Sequence, residues 1–172
     1  MKLGWKLFWL VVLVAAVLQI VAMRDPAMLG LASVTQPIAF NHKKHAGDLA
    51  LPCTTCHQTV ETQNFAGLPQ TDTCMTCHAA ALTKSPEEEK IRQYAARGEK
   101  IPWNRIYHQP GYVFFSHRRH VTLGKVECAT CHGKMPEQVT PPTHPLVNQT
   151  MQWCMACHDK RKASLDCASC HK

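Results

Sequence analysis

Residues 40–57 read FNHKKHAGDLALPCTTCH, and residues 115–132 read FSHRRHVTLGKVECATCH. At an offset of 75, Phe40 matches Phe115, His42 matches His117, and His45 matches His120. Cys53, Cys56 and His57 likewise match Cys128, Cys131 and His132. Each copy opens with two histidines three positions apart around a basic pair, and closes on Cys-x-x-Cys-His. Another such unit follows each copy, Cys74-Cys77-His78 and Cys154-Cys157-His158, and a fifth, Cys167-Cys170-His171, ends the chain. The organisation is a duplicated unit, about 40–78 and 115–158, with an added site at 167–171. Repetition at a fixed offset says more about architecture than local propensity does.

All ten cysteines belong to these five units. Paired thiols also suit a zinc ribbon or a disulfide framework. Neither explains a histidine directly after every pair in a chain with 11 histidines in 172 residues. Cys-x-x-Cys-His is the attachment signal of a c-type haem. Two cysteines on one helical turn form thioethers to the two vinyl groups of one porphyrin, and the next residue aims its imidazole at the iron. Five covalent haems are expected, with His57, His78, His132, His158 and His171 as proximal ligands. No thiol is left for disulfide exchange or catalysis.

Six histidines remain: His42, His45, His108, His117, His120 and His144. Five six-coordinate irons need five distal ligands. On a helix, positions i and i+3 share a face, so each Phe-x-His-x-x-His turn can offer two imidazoles to neighbouring haems. His42, His45, His117 and His120 are therefore expected as distal ligands. His144, in PPTHPL, is either an alternative sixth ligand or a loop residue. Met151 and Met155 flank the fourth motif; thioether ligation there would raise a potential, but methionines beside haem more often pack.

Leu7 to Met23 carries no charge, and Lys2 and Lys6 precede it. That run exceeds the apolar core of most signal peptides and approaches the length needed to span a bilayer. Trp5 and Trp9 suit an interfacial belt, and the early lysines a cytoplasmic start. The expectation is a single-pass anchor over 1–24 in a bacterial inner membrane, with residues 25–172 as a periplasmic haem domain; a removed signal is the alternative.

The net charge of +7 would suit an anionic partner. Five haems, however, bring on the order of −5 through their propionates, which Lys43, Lys44, Arg118 and Arg119 partly offset. No basic patch interleaved with aromatics is present, so nucleic acid is not an expected partner. Eleven prolines and short apolar runs imply a mainly α and irregular domain wrapped around its porphyrins. One clear helix is expected in SPEEEKIRQYAARG, with Ser85 as N-cap, Pro86 at N1, Glu88 in a capping box and Gly98 at the end. Ile91, Tyr94 and Ala95 share its packing face. Its acidic first turn complements the helix dipole, so Glu87, Glu88 and Glu89 receive no catalytic role.

The stretch GEKIPWNRIYHQPGYVFFSHRRHV (98–121), with CATCHG (128–133) and MQWCMACH (151–158), resembles the pentahaem cytochrome subunit of alternative complex III. The likeness is most specific from Ile101 to His158. More broadly, the Phe-x-His-x-x-His units resemble those of class III multihaem cytochromes. The resemblance implies that His108 is a distal ligand. It also implies that His42 and His117 serve their own units while His45 and His120 reach other haems. It further implies a quinol-oxidising parent complex with integral-membrane and iron–sulfur subunits. Electrons would then pass to a periplasmic acceptor or a terminal oxidase.

Iron bound by two imidazoles is saturated, so the chemistry expected is outer-sphere electron transfer, not catalysis. Two rivals stand beside this. A stand-alone tetrahaem-type quinol dehydrogenase often has methionine two places after the first motif's histidine, where this chain has Thr59. A free electron shuttle or store would not need an anchor.

Overall fold

The computed structural model describes residues 2–23 and 33–171, which fall into two units divided after Ser33. The first is one helix, α1 (Lys2–Met23). Trp9 packs edge-on against Trp5 and Phe8, with ring centres 6.1 and 5.7 Å apart. Among the described residues no helix is long and apolar enough to cross a membrane. This overturns the expected single-pass anchor, and with it the inner-membrane placement of the chain. The physical reason is length: the uncharged run after Lys6 rises roughly 25 Å at 1.5 Å per residue, short of a hydrocarbon core of about 30 Å. The end of the expected anchor, Arg24, lies outside the described residues.

The second unit is helical and irregular, with no strand among the described residues beyond an isolated bridge between Val113 and His171. Its helices are α2 (Thr71–His78), α3 (Pro86–Ala96), α4 (Cys128–His132), α5 (Met151–Lys160) and α6 (Cys167–Cys170). Ile38, Ile91 and Ile101 form a small buried core, covered by Cys74, Met75, Tyr94 and Trp103. α2 packs on α3 beside it. The buried Thr71 hydroxyl donates to Glu99 O (2.8 Å) and accepts from Ile101 N–H (3.2 Å), tying α2 to the segment after α3.

α3 starts and stops as its sequence dictates. Ser85 Oγ accepts from the Glu87 amide. At the far end Gly98 adopts φ +65°. Its N–H bonds Ala95 O and the Glu99 N–H bonds Tyr94 O, the paired pattern that a left-handed glycine completes. The expected capping box is replaced. Glu88 bypasses Ser85 N–H and accepts instead from Leu82 N–H (2.6 Å), Thr83 N–H (2.9 Å) and Thr83 Oγ1 (2.6 Å).

Both Phe-x-His-x-x-His stretches run into a π-helical turn, Lys43–Asp48 and Arg119–Leu123, wider than the α turn their spacing implies. π turns concentrate at functional sites. The copies match in detail: Leu49 N–H bonds Lys44 O and Leu51 N–H bonds His45 O, as Gly124 and Val126 bond Arg119 and His120. Each turn ends in a left-handed residue, Ala50 (φ 52°) or Lys125 (φ 51°).

The copies also pack on one another reciprocally. Lys43 N–H bonds Gln138 O, while Arg118 N–H bonds Gln63 O; these are equivalent residues with the copies exchanged. Gly47 approaches Pro136 O, and its counterpart Thr122 donates to Glu61 O (2.6 Å). Such self-complementary exchange is the mark of a local two-fold. A Cβ on Gly47 would stand 2.7 Å from Pro136 O. Gly47→Ala is therefore expected to destabilise the fold by about 1–3 kcal/mol, measurable as a lowered denaturation midpoint.

Candidate haem-binding site

The two aromatic–histidine turns are built alike. Phe40 stacks on His45 (4.5 Å, 24°) and meets His42 edge-on (4.8 Å, 85°). Phe115 repeats this with His120 (4.8 Å, 24°) and His117 (4.9 Å, 87°). Asn41 Oδ1 accepts from the Lys44 amide, fixing the start of the first turn. The phenylalanines thus clamp both imidazoles of a turn, a role the sequence signalled only by repeating Phe at the head of the motif.

The ring nitrogens are oriented by the backbone. His45 Nδ1 lies 2.9 Å from Asn41 O, His120 Nδ1 2.8 Å from Ser116 O, and His117 Nδ1 2.9 Å from Asn64 O. Among the motif histidines, His57 Nδ1 is 2.8 Å from Gly67 O and His158 Nδ1 2.8 Å from Ser164 O. A carbonyl can only accept, so each Nδ1 carries the hydrogen and each Nε2 keeps its lone pair. That is the tautomer a metal-binding imidazole requires, set by its outer partner.

Separations between rings fit the same chemistry. Two imidazoles on opposite faces of one iron hold their ring centres roughly 6 Å apart, given metal–nitrogen bonds of about 2 Å. His45 and His78 are 6.0 Å apart, His117 and His132 6.3 Å with planes 5° from parallel, and His120 and His158 6.0 Å. His42 and His57 hold the positions equivalent to His117 and His132. Burial, then His57, then His45 lower the pKa of His42 to about 4. Burial, then His117, then His57 do the same for His132. Burial also lowers His117. Neutral imidazole is the ligating form.

Burial pushes up the thiols of Cys74, Cys128, Cys131 and Cys154, and a thiol of another motif adds to each. Cys56 acts on Cys74, Cys53 on Cys128, Cys157 and Cys154 on Cys131, and Cys170 on Cys154. The second motif therefore neighbours the first, the third neighbours the fourth and the fourth the fifth, and the first and third adjoin through Cys53 and Cys128, equivalent residues of the two copies. No disulfide joins any two of the ten cysteines, Cys53, Cys56, Cys74, Cys77, Cys128, Cys131, Cys154, Cys157, Cys167 and Cys170. Among the described residues no three His, Cys, Asp or Glu side chains converge as a zinc site would need.

The remaining expected residues are placed differently. His171 faces Tyr112 (5.8 Å, 33°). His108 turns its Nε2 to Arg105 O at 3.0 Å, and His144 Nδ1 sits 3.0 Å from Thr143 Oγ1. Met151 and Met155 are exposed on α5. Tyr107, which carried no expectation, meets His132 edge-on at 4.6 Å and accepts from Leu146 N–H through its hydroxyl. Hydrogen bonds from Thr83, then Leu82, hold the Glu88 carboxyl well below the usual carboxylate range.

Paired imidazoles, with at least one ring of each measured pair held by a backbone carbonyl, beside Cys-x-x-Cys turns in a small helical fold, define a multihaem cytochrome c. The class III cytochrome c family model matches residues 19–109, and the model of cytochrome c7 and related cytochrome c matches residues 113–172. A relative from Nitratidesulfovibrio vulgaris strain Hildenborough, named menaquinone reductase, multiheme cytochrome c subunit, is 34% identical over 161 residues. The match covers 80% of this chain and 77% of that protein. The chain belongs to the class III multihaem cytochrome c family: an electron-transfer protein with covalently bound haem c, related to a subunit of a menaquinone reductase.

Proposed function

We propose that the chain carries five c-type haems, one per Cys-x-x-Cys-His unit, and serves as the electron-relay subunit of a quinone-linked oxidoreductase complex. The observation that carries this reading is the set of three imidazole pairs 6.0 to 6.3 Å apart. On it, His42 pairs with His57, His117 with His132, His45 with His78, and His120 with His158. Each turn thus serves the first and the second motif of its own copy. His108 completes the fifth pair with His171. Val113, five residues after His108, bridges to His171, which supports this pairing by bringing the segment that follows His108 to the fifth motif.

Bound haem supplies reversible one-electron chemistry. The chain's part is to hold every iron saturated, which excludes substrate from the metal, and to set the motifs in one file. The two ends of that file, at the second and fifth motifs, are where partners exchange electrons. The resemblance to the alternative complex III subunit favours entry from a quinol-oxidising and iron–sulfur partner and exit to a soluble redox protein or terminal oxidase. The relative from Nitratidesulfovibrio vulgaris, a menaquinone reductase subunit, favours the reverse direction as a second reading.

Purification without dissociation, mass spectrometry of the co-purifying chains and stopped-flow mixing with menaquinol test the proposal. A quinone-handling partner and haem reduction by menaquinol only in the intact assembly are expected. A lone chain that turns over a small substrate would contradict it.

A further inference from the structure

His78 stands apart from the other motif histidines. Its Nδ1 is buried without a directed hydrogen bond, and the atom facing it is a carboxylate oxygen, Glu88 Oε1, at 3.3 Å. His158, which holds the corresponding place in the second copy, has the neutral carbonyl of Ser164 instead. Glu88 is only 5% exposed, and a charge so buried is costly unless it is held by several partners. Leu82 N–H, Thr83 N–H and the Thr83 hydroxyl hold it, and Arg92 bonds the same Oε1 at 3.0 Å. Arg92 is shared with Glu89 at 2.7 Å, so one guanidinium meets two carboxylates and the group keeps a net negative charge.

We infer that Glu88 is a positioning residue that polarises the His78 imidazole and makes the haem of the second motif harder to reduce than its counterpart at His158. A carboxylate on the outer nitrogen of a ligating histidine fixes the ring and raises its basicity. A more basic ligand stabilises the ferric over the ferrous iron, and a nearby buried negative charge acts in the same direction. The duplicated fold thereby treats its copies unequally. The second motif, at one end of the file, receives a carboxylate, and its counterpart at His158 does not. The inference rests on the five-haem reading above.

The test is Glu88→Gln in the full holoprotein, by redox titration and near-infrared magnetic circular dichroism. At a fixed potential, one haem of five should show about a tenfold higher reduced-to-oxidised ratio, which is about 59 mV for a one-electron couple. Its charge-transfer band, which follows axial-ligand basicity, should move while the other four stay. Arg92→Gln leaves the carboxylate unshared and should shift the same haem the opposite way, which a mere loss of packing would not do. Five low-spin haems with unmoved potentials in Glu88→Gln, a uniform shift of all five, or the same direction of shift in both variants would overturn this inference alone. A holoprotein lacking the haem at Cys74 and Cys77 would instead overturn the five-haem reading beneath it.

Discussion

His45→Ala is expected to turn one haem in five from low-spin to high-spin while leaving the chain folded. The imidazole of His45 stands 6.0 Å from that of His78 and is stacked on Phe40. Its Nδ1 is committed to Asn41 O, so Nε2 is the only nitrogen it can offer. Alanine removes that nitrogen, and the described residues bring no second imidazole into ring contact with His78. The iron at the second motif would then be five-coordinate and open to carbon monoxide, and about one fifth of the low-spin intensity should disappear. His120→Ala should do the same at His158, because its geometry is equivalent. Absorption and electron paramagnetic resonance of the oxidised protein read both outcomes. Five undisturbed low-spin haems in His45→Ala would refute the pairing.

Ile38→Ala is expected to cost about 3 kcal/mol, within the range for emptying a buried aliphatic site. Ile38 is 2% exposed and packs with Ile91 and Ile101. That cluster joins the segment leading into the first repeat to α3 and to the stretch after it. Polar contacts follow the same seam: Ala39 N–H donates to Glu87 Oε2 at 2.6 Å, and Gln36 and Asn104 bond each other. Leu123, 63% exposed, offers the comparison; its replacement by alanine should stay within about 0.5 kcal/mol. Urea titration followed by helical circular dichroism measures both.

Covalent chemistry was the most legible part of the sequence, because Cys-x-x-Cys-His is read within five residues and depends on no distant contact. α3 was legible for the same reason: Ser85, Pro86 and Gly98 act locally. Non-local contacts were not. Glu88 sits where a capping box is expected, yet it turns away to Leu82, Thr83 and His78, since three donors and an imidazole outcompete one amide. The π form of the two turns was hidden because an i, i+3 histidine pair suits an α turn equally well. Reciprocal packing of Lys43 on Gln138 and Arg118 on Gln63 links residues far apart in the chain, and the repeat announces only that two copies exist. The N-terminal segment misled in another way. Composition alone favoured a membrane span, but its uncharged run is too short at helical rise.

The most direct test of the account is near-infrared magnetic circular dichroism of the oxidised holoprotein, with bis-imidazole charge-transfer intensity quantified per polypeptide. Five low-spin bis-imidazole haems per chain are predicted. Fewer than five, or a substantial high-spin fraction in the unmodified protein, would contradict it.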